Sequence, residues 1–304
     1  MFERTLRIVN AAWFWSTHPI LAALSLSLAF ISQVSADERA LASTPDHLAL
    51  YIFIGQSNMS GRGPLEELPT PWPPAINGEQ PNIWNFTNAG VWEPAREPID
   101  LPVGEKRHEA WWDEEPLAGP ILSFGVAMHA LAPDQPIGLI PCARQGSNLR
   151  DWRRSTNDRS LYGWCMNRVK AAQAMGTLRG IVFYLGETDS HERKSARSFD
   201  DHFVELINHL RTDVSGGAQT DLPIVFTQIA TVSDKRKRRR SGYRYWSYVK
   251  RAQAEISLPH AALVKADRYP IQEDGIHLTT AGYISLGQEW AKAMYALQSA
   301  APPL

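Results

Sequence analysis

Five short apolar runs recur along the chain, each closed by a polar turn and followed by a stretch of helical period. They are Leu48–Ile54, Ile137–Ile140, Gly180–Leu185, Pro223–Ile229 and Ala261–Ala266, rich in Val, Ile, Leu and Phe with little alternation. A strand with one wetted face alternates, whereas a strand covered on both faces does not, so these runs predict strands inside a parallel sheet. Apolar spacing at three and four residues predicts helices over Pro120–Leu131, Trp164–Met175, Ser195–Arg211, Tyr243–Ile256 and Thr279–Leu297. Strands alternating with helices put helices on both faces of the sheet. The expected architecture is one α/β domain around a central, mostly parallel, five-stranded sheet.

Two internal stretches break this rhythm. Gly61–Pro116 carries many prolines together with Trp72, Trp84, Trp92, Trp111 and Trp112, and shows no sustained period. It reads as a long insertion loop after the first strand, and insertions of that length usually carry function or lack order. Lys235–Arg240 is an unbroken cationic run, which reads as a solvated loop. The first residues form a third departure. Arg4 and Arg7 precede the apolar stretch Ile20–Ile31, and Val34-Ser35-Ala36 follows as a small-residue cleavage pattern. The apolar stretch falls short of the roughly 20 residues a membrane-spanning helix needs. Residues 1–36 are therefore expected to be a cleaved signal peptide, leaving 37–304 as a secreted or periplasmic domain without stable membrane insertion; an uncleaved anchor is the alternative.

Composition adds little to the fold and narrows the partners. Lys+Arg is 31 against Asp+Glu 32 over 304 residues, so no global charge argues for a nucleic acid or an anionic membrane. The 2 cysteines, Cys142 and Cys165, cannot build a four-ligand zinc site. In an oxidising compartment they could form one disulfide; two unpaired buried thiols are the other reading.

Chemistry enters with two segments at opposite ends of the pattern. Gly55-Gln56-Ser57-Asn58-Met59-Ser60-Gly61 directly follows the first strand, where an open parallel sheet carries its ligands. A turn opening a helix there leaves backbone N–H groups free to face an oxyanion. Asp274-Gly275-Ile276-His277-Leu278 follows the last strand. That spacing lets the carboxylate reach one ring nitrogen of His277 while the other faces a nucleophile. His202 and His209, seven apart on one predicted helix, read as exposed or packing residues. Taken singly, each segment also has a structural explanation: a serine cap, and a local Asp–His contact.

Together the segments resemble the SGNH-hydrolase superfamily, and within it the sialate O-acetylesterase and carbohydrate acetylesterase family. Further blocks fall in the family's order: Gly119-Pro120 with Ser123-Phe124, then Ala143-Arg144-Gln145-Gly146-Ser147-Asn148-Leu149-Arg150-Asp151-Trp152, then Tyr184-Leu185-Gly186-Glu187-Thr188-Asp189. The resemblance implies a three-layer, flavodoxin-like α/β/α fold, no metal or other cofactor, and hydrolysis of acetyl esters on carbohydrate. It implies Ser57 as nucleophile, His277 as base and acid, Asp274 as orienting carboxylate, and an oxyanion hole from the N–H groups of Ser57 and Gly146. Gln56, Glu187 and Asp189 are then expected near the site as hydrogen-bond partners. One position departs: Leu185 stands where the family usually has glutamine. If that glutamine donates to the oxyanion, Asn58 or Asn148 would have to substitute, or activity would fall. Trp72, Trp111 and Trp112 are expected at the pocket rim, stacking on sugar faces. The rival readings are a carbohydrate-binding protein that kept the fold and lost catalysis, and a lipase or thioesterase of the same superfamily.

Overall fold

The computed structural model describes residues 47–69, 82–99, 117–215, 221–231 and 242–300. The leader, Trp72, Trp111, Trp112 and the cationic run lie outside the described residues. Those described fall in one compact unit, Pro45–Leu304. In chain order they form β1 (Leu48–Gly55), α1 (Ser57–Ser60), β2 (Ile83–Phe86), β3 (Trp92–Pro94), α2 (Ile121–Leu131), β4 (Ile137–Ala143), α3 (Leu161–Ala172) and β5 (Gly176–Tyr184). Then follow α4 (Arg193–Arg197), α5 (Phe199–Val214), β6 (Ile224–Gln228), α6 (Trp246–Glu255), β7 (Ala261–Lys265) and α7 (Thr280–Ala300).

The sheet order is β3-β2-β4-β1-β5-β6-β7, parallel throughout except for the antiparallel β2–β3 pair. Every residue of β1 is buried, as its unbroken apolar run requires. Helices α2 and α7 pack together on one face, and α3, α5 and α6 pack on the other, which gives three layers. The chain leaves β1 toward β4 on one side and later crosses to β5 on the other. The loops after β4 and β5 therefore part around the end of β1, the switch point where open α/β sheets bind ligands.

The sheet has seven strands where the apolar runs predict five. The extra pair, β2 and β3, is short and sits inside the Pro/Trp-rich insertion. Arg168 of α3 holds β2 in place: its guanidinium donates to the backbone oxygens of Pro141 (3.2 Å), Thr87 (2.8 Å) and Phe86 (2.6 Å). The same group lies over the rings of Phe86 and Trp164. Cys142 on β4 and Cys165 on α3 are joined as a disulfide. Closing a loop with a sequence separation of 23 stabilises by about 3 kcal/mol through the unfolded state.

The single helix expected over Ser195–Arg211 is two, parted at Ser198 (φ −106°, ψ 23°). The Ser198 hydroxyl donates to Lys194 O at 3.0 Å, the local side-chain bond by which serine competes with helical continuation. Helix α3 starts at Leu161, three residues before the apolar period suggests, because Ser160 caps it by accepting from Gly163 N–H at 3.0 Å.

Candidate active site at the carboxyl edge of the sheet

Strand β1 passes into α1 with a single residue between them, Gln56. Gly55 allows this, because a Cβ there would collide with Tyr184 O and Met59 Cβ. The hydrogen bonds of α1 begin with the N–H groups of Met59 and Ser60, both donated to Gln56 O. The N–H groups of Ser57 and Asn58 stand ahead of that ladder, at the end of the turn that carries positive partial charge.

The loop after β7 folds back so that Gln272 N–H donates to His277 O at 2.8 Å. Asp274 Oδ1 accepts from the N–H groups of Ile276 (2.8 Å) and His277 (3.0 Å). Its Oδ2 lies 2.5 Å from His277 Nδ1, and His277 Nε2 lies 2.8 Å from Ser57 Oγ. Partial burial pushes the Asp274 carboxyl up, but the His277 ring and the two N–H donors outweigh it and hold the pKa at about 2. A charged Asp274 keeps the ring proton on Nδ1, which leaves Nε2 to accept from the Ser57 hydroxyl. The Ser57 side of this line is nearly closed to solvent, at 9% exposure, while Asp274 keeps 41% of its side chain open. Hydroxyl, imidazole and carboxylate thus form one proton-transfer line.

Asn58 ties the two segments together. Its Nδ2 donates to Glu187 Oε1 (2.6 Å) and Ile276 O (3.2 Å). Its Oδ1 accepts from Leu278 N–H (3.2 Å) and Tyr283 OH (2.7 Å). The residues on both sides of His277 are therefore bound to the residue next to Ser57. Both amide hydrogens are spent in this way, so the Asn58 side chain is not free to replace a glutamine donor at the oxyanion. Glu187 is buried and takes its second donor from Gln56 Nε2 at 2.5 Å; burial pushes its carboxyl up despite these donors. Gln56 Oε1 in turn accepts from Thr188 Oγ1 at 3.0 Å.

The glycine block leaves β4 with Arg144 N–H donating to Gly55 O at 2.9 Å, which holds this loop against the end of β1. Gly146 adopts φ +67°, a conformation that favours glycine. Asn148 caps the 3-10 turn Leu149–Trp152, its Oδ1 accepting from Arg150 N–H at 2.9 Å. That uses its oxygen and leaves its amide group outside the cap. Asp189 is buried and accepts Leu149 N–H on both oxygens (3.2 and 3.3 Å), and burial pushes its pKa up to about 7. Leu185 is wholly buried, with its backbone oxygen accepting from Gln253 Nε2 at 2.9 Å.

Several residues at the site carry no sequence signal. Arg62 donates to Gln145 Oε1 at 3.0 Å, and Gln272 Nε2 to Arg62 O at 2.7 Å. Tyr243 packs on His191, ring centres 4.4 Å apart; burial raises its hydroxyl pKa, helped by the nearby charges of Glu187 and Asp274. Their partners lie far away in sequence, so spacing could not have found them. Among the described residues no group of three His, Cys, Asp or Glu side chains could hold a metal ion, and no helix is long and apolar enough to cross a membrane.

The chain is 28% identical over 255 residues to a probable carbohydrate esterase of Arabidopsis thaliana, covering 80% of this chain and 89% of that one. A crystal structure of a protein from the same plant superposes with TM-score 0.67 at 25% identity, covering 83% of this chain and 99% of the other. A carbohydrate acetylesterase from Xanthomonas citri shares the fold at TM-score 0.60 and 17% identity, over 83% of this chain and 57% of that longer one. The model of one family, carbohydrate esterase, sialic acid-specific acetylesterase, matches residues 47–296. The chain belongs to this family of carbohydrate esterases and is a carboxylic ester hydrolase.

Proposed function

We propose that this esterase removes O-acetyl groups from carbohydrate through a covalent acetyl-enzyme on Ser57. The observation that carries the reading is the 2.8 Å contact between Ser57 Oγ and the ring nitrogen of His277 that faces away from Asp274. Ser57 Oγ attacks the acetyl carbonyl carbon as His277 Nε2 takes its proton, and the carbonyl oxygen becomes an oxyanion. The N–H groups of Ser57 and Gly146 receive that charge; one such donor is worth about 3–4 kcal/mol in the transition state. His277 returns the proton to the sugar oxygen as the C–O bond breaks and the alcohol leaves. Water then attacks the acetyl-serine, giving up a proton to His277, and acetate departs with Ser57 restored.

The test is aryl-acetate hydrolysis by purified protein and by Ser57→Ala. Loss of at least about 10³-fold in kcat is expected; equal rates would end the proposal. Covalent labelling by a serine-directed phosphonate, abolished in Ser57→Ala, separates this reading from a protein that binds carbohydrate without turnover. The N-terminal charge, apolar stretch and Val34-Ser35-Ala36 pattern support export with cleavage after Ala36. N-terminal sequencing of the exported protein is expected to begin at Asp37.

A further inference from the structure

The loops that leave β4 and β5 at the catalytic edge continue into a second concavity. A cavity of about 360 Å³ opens between the 3-10 turn Leu149–Trp152, α4 and α5. That is the small end of the range for ligand pockets and suits one sugar ring. Its lining has two parts. Leu149, Ser195 and Leu206 are buried at the walls and offer an apolar surface with a hydroxyl beside it. Around them stand the cations Arg150, Arg153, Arg154 and Lys194, with Glu205 the one carboxylate of the lining.

These cations differ in what they have left to give. Arg150 is fixed by Glu192 at 2.7 Å, through one guanidinium nitrogen only. Arg154 is fixed by both oxygens of Asp213, at 2.9 and 2.5 Å. Arg153 uses its Nε on Arg150 O at 3.1 Å, and among the described residues neither its two terminal nitrogens nor Lys194 meets a carboxylate. Two positioned guanidinium groups and two uncommitted cations thus surround an apolar wall. His202 and His209 of α5 line the same cavity, which gives a place to two histidines that the mechanism does not use.

We propose that this cavity is an accessory binding site for a saccharide that carries a carboxylate, such as a uronate residue of a glycan chain. The C–H face of the ring meets Leu149 and Leu206, and the carboxylate meets Arg153 and Lys194, with the free edge of Arg150 beside them. The proposal goes beyond the Ser57 reading and needs no turnover. The backbone links the two places: Leu149, three residues after Gly146, donates its N–H to Asp189, two residues after Glu187. A glycan anchored here would therefore bear on the loop that carries Gly146.

Calorimetric titration of Ser57→Ala protein measures binding with hydrolysis switched off. The ligands are a trigalacturonate, a neutral xylotriose and inorganic phosphate. The acidic trisaccharide is expected to bind at least about tenfold tighter than the neutral one. That preference should vanish in Arg153→Ala/Lys194→Ala and weaken in about 1 M salt, where the screening length is about 3 Å. Neither side chain packs in the core, so the double variant should keep its thermal midpoint and its aryl-acetate activity in the Ser57 background. Equal binding of both trisaccharides, a preference that survives the double variant, phosphate binding as tightly as the trigalacturonate, or no binding at all would each overturn the proposal. None of these outcomes touches the assignment of Ser57, which the aryl-acetate assay reads separately.

Discussion

Asn58 shows how much of the site depends on one carboxamide. With all its donors and acceptors engaged, it fixes Ile276 and Leu278 and thereby the position of the His277 ring relative to Ser57. Asn58→Ala leaves Tyr283 OH and one Glu187 oxygen without their partner and frees the backbone on both sides of His277. Misplacing a reacting group by about 1 Å costs on the order of 10²-fold. The expected result is a fall of that size in kcat for an aryl acetate with little change in KM, because substrate contacts remain. Asn58→Asp is expected to be worse, since it sets a second carboxylate against buried Glu187. Steady-state kinetics of the two variants check both statements. The sequence made Asp274 and His277 legible because their pairing is local, at separation 3. It hides what occupies the Asn58 side chain, because the partners that consume its amide lie 129 and 218 residues away.

At the scale of elements, α3 is tied to its neighbours by covalent and polar bonds as well as by packing. Its inward side carries Tyr162, Cys165, Arg168, Val169 and Ala172, a buried stripe at helical spacing. Two of these make bonds beyond packing: Cys165 to Cys142 of β4, and Arg168 to backbone oxygens of β4, β2 and the residue after β2. This explains how β2, four residues long, joins the sheet without a long apolar run of its own. A reading based on periodicity finds β1 and β5 because their burial comes from their own composition. It overlooks β2 and β3 because their pairing is imposed by a cation on a distant helix. Arg168→Leu keeps much of the bulk and strands three carbonyl oxygens. It should cost about 2–3 kcal/mol in denaturant unfolding and should leave the aryl-acetate kcat of the folded fraction intact. A comparable loss, about 3 kcal/mol, is expected on reducing the disulfide.

At the scale of the whole molecule, the same edge that gathers the reactive groups also gathers buried acids. Burial pushes Asp189 to about 7 and raises Glu187 in the same direction. Each of these holds a proton in the folded protein at a pH where the unfolded chain has released it. The folded state thus binds more protons between about pH 4 and pH 7, and stability must fall as pH rises through that window. Asp274 works the other way: its depressed value adds stability that is present above the unfolded value and is lost as pH falls toward about 2. The two trends place the stability maximum in mild acid. Thermal midpoints measured from about pH 4 to pH 8 should therefore decline. Asp189→Asn isolates one contribution, since it keeps an acceptor for Leu149 N–H and removes the titration. Its midpoint should decline less than that of the parent over the same range, with a difference at the alkaline end of at most about 4 kcal/mol. Parallel profiles for the two proteins would mean that the cost of charging this edge is met elsewhere in the fold.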